Sequence, residues 1–235
     1  MEERLRAPWS PWEAVPLALA AFTTAFVVAI LLTAVLGGPG GPTAVLAEIA
    51  FEGAMFAFTL AWVRIRYPDD APALGLGSRR PGRDAFVGAV VGLALFFAAA
   101  IVLLRGILFV FEALGIQPPT IQQIRFPLSP LNLALGLFLV VVAAPFAEEV
   151  FFRGFLYTSL RGRLGVWPAA LVSSAIFGVF HVSGGPILVP LLFLVGLAFA
   201  FLYEWRRSLV ASIAAHATFN AIGYTLIIYE RLFST

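Results

Sequence analysis

Cysteine is absent from this chain, and so is lysine. Without cysteine there is no disulfide, no thiol nucleophile and no thiolate metal site, and the redox compartment is left open. Charge is scarce as well. Only 12% of the 235 residues are charged, against about 25% in a soluble domain. The formal net charge of +2 is too small to attract a nucleic acid. Histidine occurs twice, at His181 and His216.

What is present is apolar. Hydrophobic residues make up 61% of the chain and the mean hydropathy is +0.96, too greasy for a soluble fold. The whole of 1–235 reads as a single all-α integral membrane domain, a polytopic bundle of about seven, at most eight, transmembrane helices. Seven apolar segments carry it, roughly 15–36, 43–63, 85–111, 131–160, 167–183, 186–203 and 208–228. The first is too long for the core of a signal peptide and reads as a retained span. Trp9 and Trp12 before it suit an interfacial anchor. Arginine sets the orientation. Arg4, Arg6, Arg64, Arg66, Arg79, Arg80, Arg83, Arg161, Arg163, Arg206 and Arg207 fall in alternate loops, while the opposite loops hold Arg125 and Arg231. The positive-inside rule then places the N-terminus in the cytoplasm and the C-terminus outside. An all-arginine, cysteine-free chain of this kind fits a bacterial inner membrane. The fourth segment is about 45 Å long, longer than the bilayer core, and Pro145 is expected to kink it. The stretch Glu112 to Pro130 carries four prolines and reads as an external loop.

Within the fourth segment stands "AAPFAEEVFFRGF", Ala143 to Phe155. An ionised residue in hydrocarbon costs at least about 2.5–3.5 kcal/mol on the gentlest scale. On a helix Glu149 and Arg153 are i and i+4 and can pair, whereas Glu148 points about 100° away. A plain structural bridge explains the pair and leaves Glu148 without a partner. His216 and Asn220 share a face on the last segment, again at i and i+4. Counted at 1.5 Å per residue, Glu148 and His181 lie about 20 Å in and His216 about 13 Å in. Three helices thus bring polar groups to depths where they can meet around water. A carboxylate and an imidazole can deprotonate a water, and a second imidazole with an amide can stabilise an oxyanion. The same types could hold a divalent metal such as zinc, although no HExxH motif occurs. Glu48 and Glu52, also i and i+4, are expected to form a structural bridge with Arg105 near the outer end.

"EEVFFR" (Glu148 to Arg153), "FGVFH" (Phe177 to His181) and "HATFN" (His216 to Asn220) resemble the ordered motifs EExxxR, FxxxH and HxxxN of the CAAX-protease and bacteriocin-processing family. These are intramembrane proteases that include the prenyl-CAAX endoproteases. The resemblance covers about 131–228, the expected catalytic core. It implies an intramembrane endopeptidase in which Glu148 activates water with help from His181. His216 and Asn220 would serve the oxyanion, Glu149 would be a companion carboxylate held by Arg153, and Phe177 would pack beneath His181. The preferred scheme needs no cofactor, and no metal ligand is assigned. The implied partner is a membrane-associated protein or peptide, lipidated substrates included, reached from the cytoplasm or laterally from lipid. Two other functions use similar parts: a non-catalytic scaffold or bacteriocin immunity protein, and a proton- or cation-coupled transporter, which often shows an inverted repeat that is not evident here.

Overall fold

The computed structural model describes residues 7–38, 40–118 and 127–233, and these are all helix, turn or irregular chain, with no strand. The helices are α1 (Pro11–Val35), α2 (Pro42–Arg66), α3 (Pro81–Ala113), α4 (Pro130–Leu164), α5 (Val166–Phe180), α6 (Leu188–Arg206) and α7 (Leu209–Phe233). Six of these are long and apolar enough to cross a bilayer, and the chain is an integral membrane protein. α5 is the exception. Its 15 residues span about 22 Å, short of a core about 30 Å thick. It stops because the chain turns through Val182–Gly184 and then Gly185, whose φ of 125° only glycine adopts without strain. The expected continuation to residue 183 counted this turn as helix. Arg4, Arg6 and Arg125 lie outside the described residues.

Lipid is as apolar as leucine, so helices in a membrane associate through close packing rather than hydrophobic expulsion. The buried stripe of α1 is accordingly all alanine: Ala14, Ala18, Ala21 and Ala25. Its outer face shows Leu19, Phe26 and Leu31. α3 uses glycine in the same way. In "GAVVG", Gly88 to Gly92, a Cβ at either glycine would collide with a carbonyl of α7, that of Ala211 or of Ala215. This small-xxx-small spacing is legible in sequence, and it sets how near α3 lies to the helix carrying His216.

α4 is the hub. Every residue from 147 to 160 is buried, so this half of the helix faces protein all round. Two π-helical stretches, Leu139–Ala143 and Val150–Tyr157, flank Pro145. The helix runs on through the proline, and the wider turns re-aim backbone carbonyls that side chains from other helices then take. Trp9 is one of those partners. Instead of sitting at the lipid interface it is 2% exposed, with its indole N–H donated to Phe155 O at 3.0 Å. Trp12 stays outside.

At the end of the bundle rich in arginine, the loops touch. Glu204 accepts from Arg161 and pairs with Arg207, and Asp84 accepts from Arg206. Arginines at the ends of α4 and α6 and the aspartate at the start of α3 thus share one side, as the charge count requires. Replacing Gly92 with valine should cost about 1–3 kcal/mol by overpacking, read as a lower unfolding midpoint in detergent. An unchanged midpoint would show that α3 and α7 are not in tight contact.

Candidate active site

Glu149 and Arg153 form the pair expected from their spacing. Arg153 Nη1 donates to Glu149 Oε1 at 2.8 Å, with the side chains 1% and 0% exposed. Nη2 donates to Gly196 O on α6 at 3.0 Å. Gly196 has to be glycine for this approach, since a Cβ there would press on Phe177 and on Arg153 Nη2 itself. The guanidinium carbon lies 4.5 Å from the centre of the Phe177 ring, a distance at which a cation is attracted to the ring face.

Phe177 transmits this arrangement to the histidines. Its ring centre is 4.7 Å from that of His181 and 5.8 Å from that of His216, and His216 also stacks on Phe199 at 4.9 Å. Both imidazoles are held through Nδ1. His181 Nδ1 lies 2.8 Å from Phe177 O and His216 Nδ1 lies 3.1 Å from Glu149 Oε1. A carbonyl or a carboxylate can only accept, so each Nδ1 carries a hydrogen. Each Nε2 is thereby turned toward the same atom. Glu148 Oε2 is 3.7 Å from His181 Nε2 and 3.9 Å from His216 Nε2, and it makes no hydrogen bond. These separations are too long for direct bonds and suit groups that share a water.

Asn220 stands one turn beyond His216 on α7, half-buried. Its Nδ2 donates to Val140 O at 3.0 Å, a carbonyl in the first π-helical stretch of α4. Tyr224, a further turn along, donates to Leu133 O, so one face of α7 is laced to α4. Asn220 keeps a second amide hydrogen. On exposure the site is lopsided: Glu148, Glu149 and His216 are buried, whereas the His181 side chain is 27% exposed. Its open side lies at the turn between α5 and α6.

The second acidic set differs from the expected bridge. Arg105 is exposed, and among the described residues it makes no ion pair with Glu48 or Glu52. It sits on the outer, exposed side of α3. Glu52 turns inward instead. It is buried, its Oε2 has no hydrogen bond, and it lies within the electrostatic reach of Glu148. The i and i+4 spacing with Glu48 was visible in sequence; its true neighbour was not. Gly196, Phe199 and the Val140 carbonyl carried no sequence signal, because a lone glycine or phenylalanine in an apolar run is unremarkable.

Two imidazole nitrogens and a carboxylate oxygen have the donor chemistry of a catalytic zinc site, and such histidines are usually held through their other nitrogen. Among the described residues, however, no group of three His, Cys, Asp or Glu side chains is placed to hold a metal ion.

Residues 130–222 match the model of a protein family described as type II CAAX prenyl endopeptidase, Rce1-like. The resemblance read from the three motifs is thereby borne out, and the matched segment contains all seven motif residues. It runs from the start of α4 into α7 and leaves α1 to α3 outside. The chain is also 33% identical over 89 residues to a Bacillus subtilis protein named "Putative membrane peptidase YdiL", a match spanning 37% of this chain and 36% of that one. The chain thus covers about a third of that relative's length. No solved structure gives a significant match.

Replacing Arg153 with methionine would leave Glu149 as a buried charge without its cation, at a cost of about 3–5 kcal/mol. Unfolding in detergent should show that loss, and adding Glu149→Gln should recover part of it. A single variant as stable as the parent would mean that the pair does not hold the helices.

Proposed function

We propose that this protein is an intramembrane endopeptidase that hydrolyses a peptide bond with a water held between Glu148 and His181. One observation carries the reading: the unpartnered Glu148 Oε2 stands between two imidazole Nε2 atoms whose rings are fixed from behind. With its hydrogen on Nδ1, a neutral His181 offers the Nε2 lone pair to one hydrogen of the water. Glu148 accepts the other and takes it as the oxygen attacks the peptide carbonyl.

The tetrahedral intermediate then needs donors. His216 is one proposed donor: its ring is held through Nδ1 at the Glu149 carboxylate, and when doubly protonated it directs Nε2–H to the oxyanion. The second amide hydrogen of Asn220 is the other proposed donor. Collapse of the intermediate breaks the C–N bond, and Glu148 returns its proton to the departing amine. Water, carboxylate and imidazole balance every proton, so the scheme needs no cofactor. A zinc ion would supply a Lewis acid and a more acidic water, but Glu148, His181 and His216 as placed among the described residues do not form a set that holds one.

The matched family's description names a prenyl endopeptidase, which makes a lipidated, membrane-associated peptide the first substrate class to try. Entry at the half-exposed His181 suits a peptide arriving in extended form from the lipid side. Glu148→Gln should lower cleavage by about 10²-fold or more while leaving the unfolding midpoint unchanged. The assay is a peptide-library digestion by purified protein, with and without chelator. Undiminished cleavage by that variant would end the mechanism, and loss of parental cleavage on chelation would replace the metal-free scheme with the zinc one.

A further inference from the structure

A second polar site lies at the arginine-rich end of the bundle, well away from the glutamates. A cavity of about 160 Å³ is lined there by Arg79, Arg80, Arg206, Arg207, Asp84 and Ser208, among others. A water's share of liquid volume is about 30 Å³, so the space admits several waters or one tetrahedral anion. Four arginines face a single carboxylate, and that carboxylate is already engaged. Asp84 accepts from Arg206 through both Nε and Nη2, and from Ser78 Oγ at 2.6 Å.

The remaining donors are not used up. Arg79 and Arg80 are exposed and form no ion pair among the described residues. Arg207 gives Nη2 to Glu204 at 2.9 Å, but its Nη1 is buried with no acceptor. Ser208 is 1% exposed, and its Oγ, beside the Asp84 carboxylate, makes no well-aligned hydrogen bond. Ser208 also immediately precedes α7, so the positive end of a 25-residue helix opens on the same space. The turn that brings these groups together is strained. Arg207 has φ 53°, the one non-glycine residue with positive φ among those described. Such strain persists where the surroundings over-determine it and gathers at functional positions.

We propose that this cavity binds a phosphate group, and that its source is the headgroup of an anionic phospholipid. A buried guanidinium nitrogen without an acceptor, a buried hydroxyl that is poorly satisfied, an engaged carboxylate and a helix N-terminus together call for an anion. The lipid source follows from place. These are the arginines that mark the cytoplasmic side, where the leaflet is anionic and basic pockets between helices bind headgroups. Phe86 on α3, two residues from Asp84, and Trp205 on α6, next to Arg206, are both exposed and offer apolar surface for the acyl chains.

The test uses the full chain in phosphatidylcholine nanodiscs, titrated with phosphatidylglycerol and followed by native mass spectrometry of retained lipid. Wild type should retain phosphatidylglycerol over phosphatidylcholine. The Arg79→Gln, Arg80→Gln double variant removes two exposed, unpaired cations and should weaken retention about 25-fold, at about fivefold per arginine. Arg83→Gln, the loss of one charge from an exposed position outside the cavity, should change it less than twofold, against about fivefold for Arg80→Gln alone. In a parallel arm, inorganic phosphate replaces the lipid. Stabilisation by phosphate that the double variant loses would keep the site and make its ligand a soluble anion. Equal retention of both lipids with no response to phosphate would overturn the proposal, and so would equal losses in the double variant and Arg83→Gln.

Discussion

A guanidinium and a carboxylate with almost no exposure have to satisfy each other, because no water is available to do it. The Glu149–Arg153 pair therefore constrains more than one turn of helix. Arg153 also reaches a carbonyl on α6, and Glu149 also takes the Nδ1 hydrogen of His216 on α7. Three helices are thus tied to one buried charge pair. The glycine at 196 and the ring of Phe177 are the shapes that allow the guanidinium to lie where it does.

Glu148 owes its setting to that pair. Its neighbour on α4 orients one histidine through a carboxylate, while the carbonyl of Phe177 orients the other. Both remaining nitrogens then face the one oxygen of Glu148 that nothing satisfies. The π-helical turns on either side contribute as well: one exposes the Val140 carbonyl that Asn220 takes, the other the Phe155 carbonyl that Trp9 takes. Distortions of α4 thus serve as attachment points for α1 and α7. The buried stripe of α1 is alanine, and Gly88 and Gly92 let α3 and α7 approach closely.

Much of this could be read in advance. The i and i+4 spacings at 149/153 and 216/220 put each pair on one helical face, and arginine asymmetry grouped loops that prove to touch. Three readings needed revision for a common reason. Trp9 was assigned by its place before the first span and Arg105 and Glu52 by depth along their helices, and neither says which way a side chain faces. Trp9 faces inward, Arg105 outward, and Glu52 toward Glu148. α5 is shorter than its apolar run because a glycine turn interrupts it before the bilayer is crossed.

Composition and period, both local properties, determined by themselves that this chain is a bundle of membrane helices. The ordered motifs marked which polar residues deserved attention. Tertiary structure decided which atoms face one another. It turned both Nε2 atoms onto Glu148 Oε2, brought Glu52 into the field of Glu148, and gathered four arginines from two loops around one cavity. Those outcomes depend on helix rotation and close approach between distant segments, set by glycines, carbonyls and ring packing whose partners lie dozens of residues away.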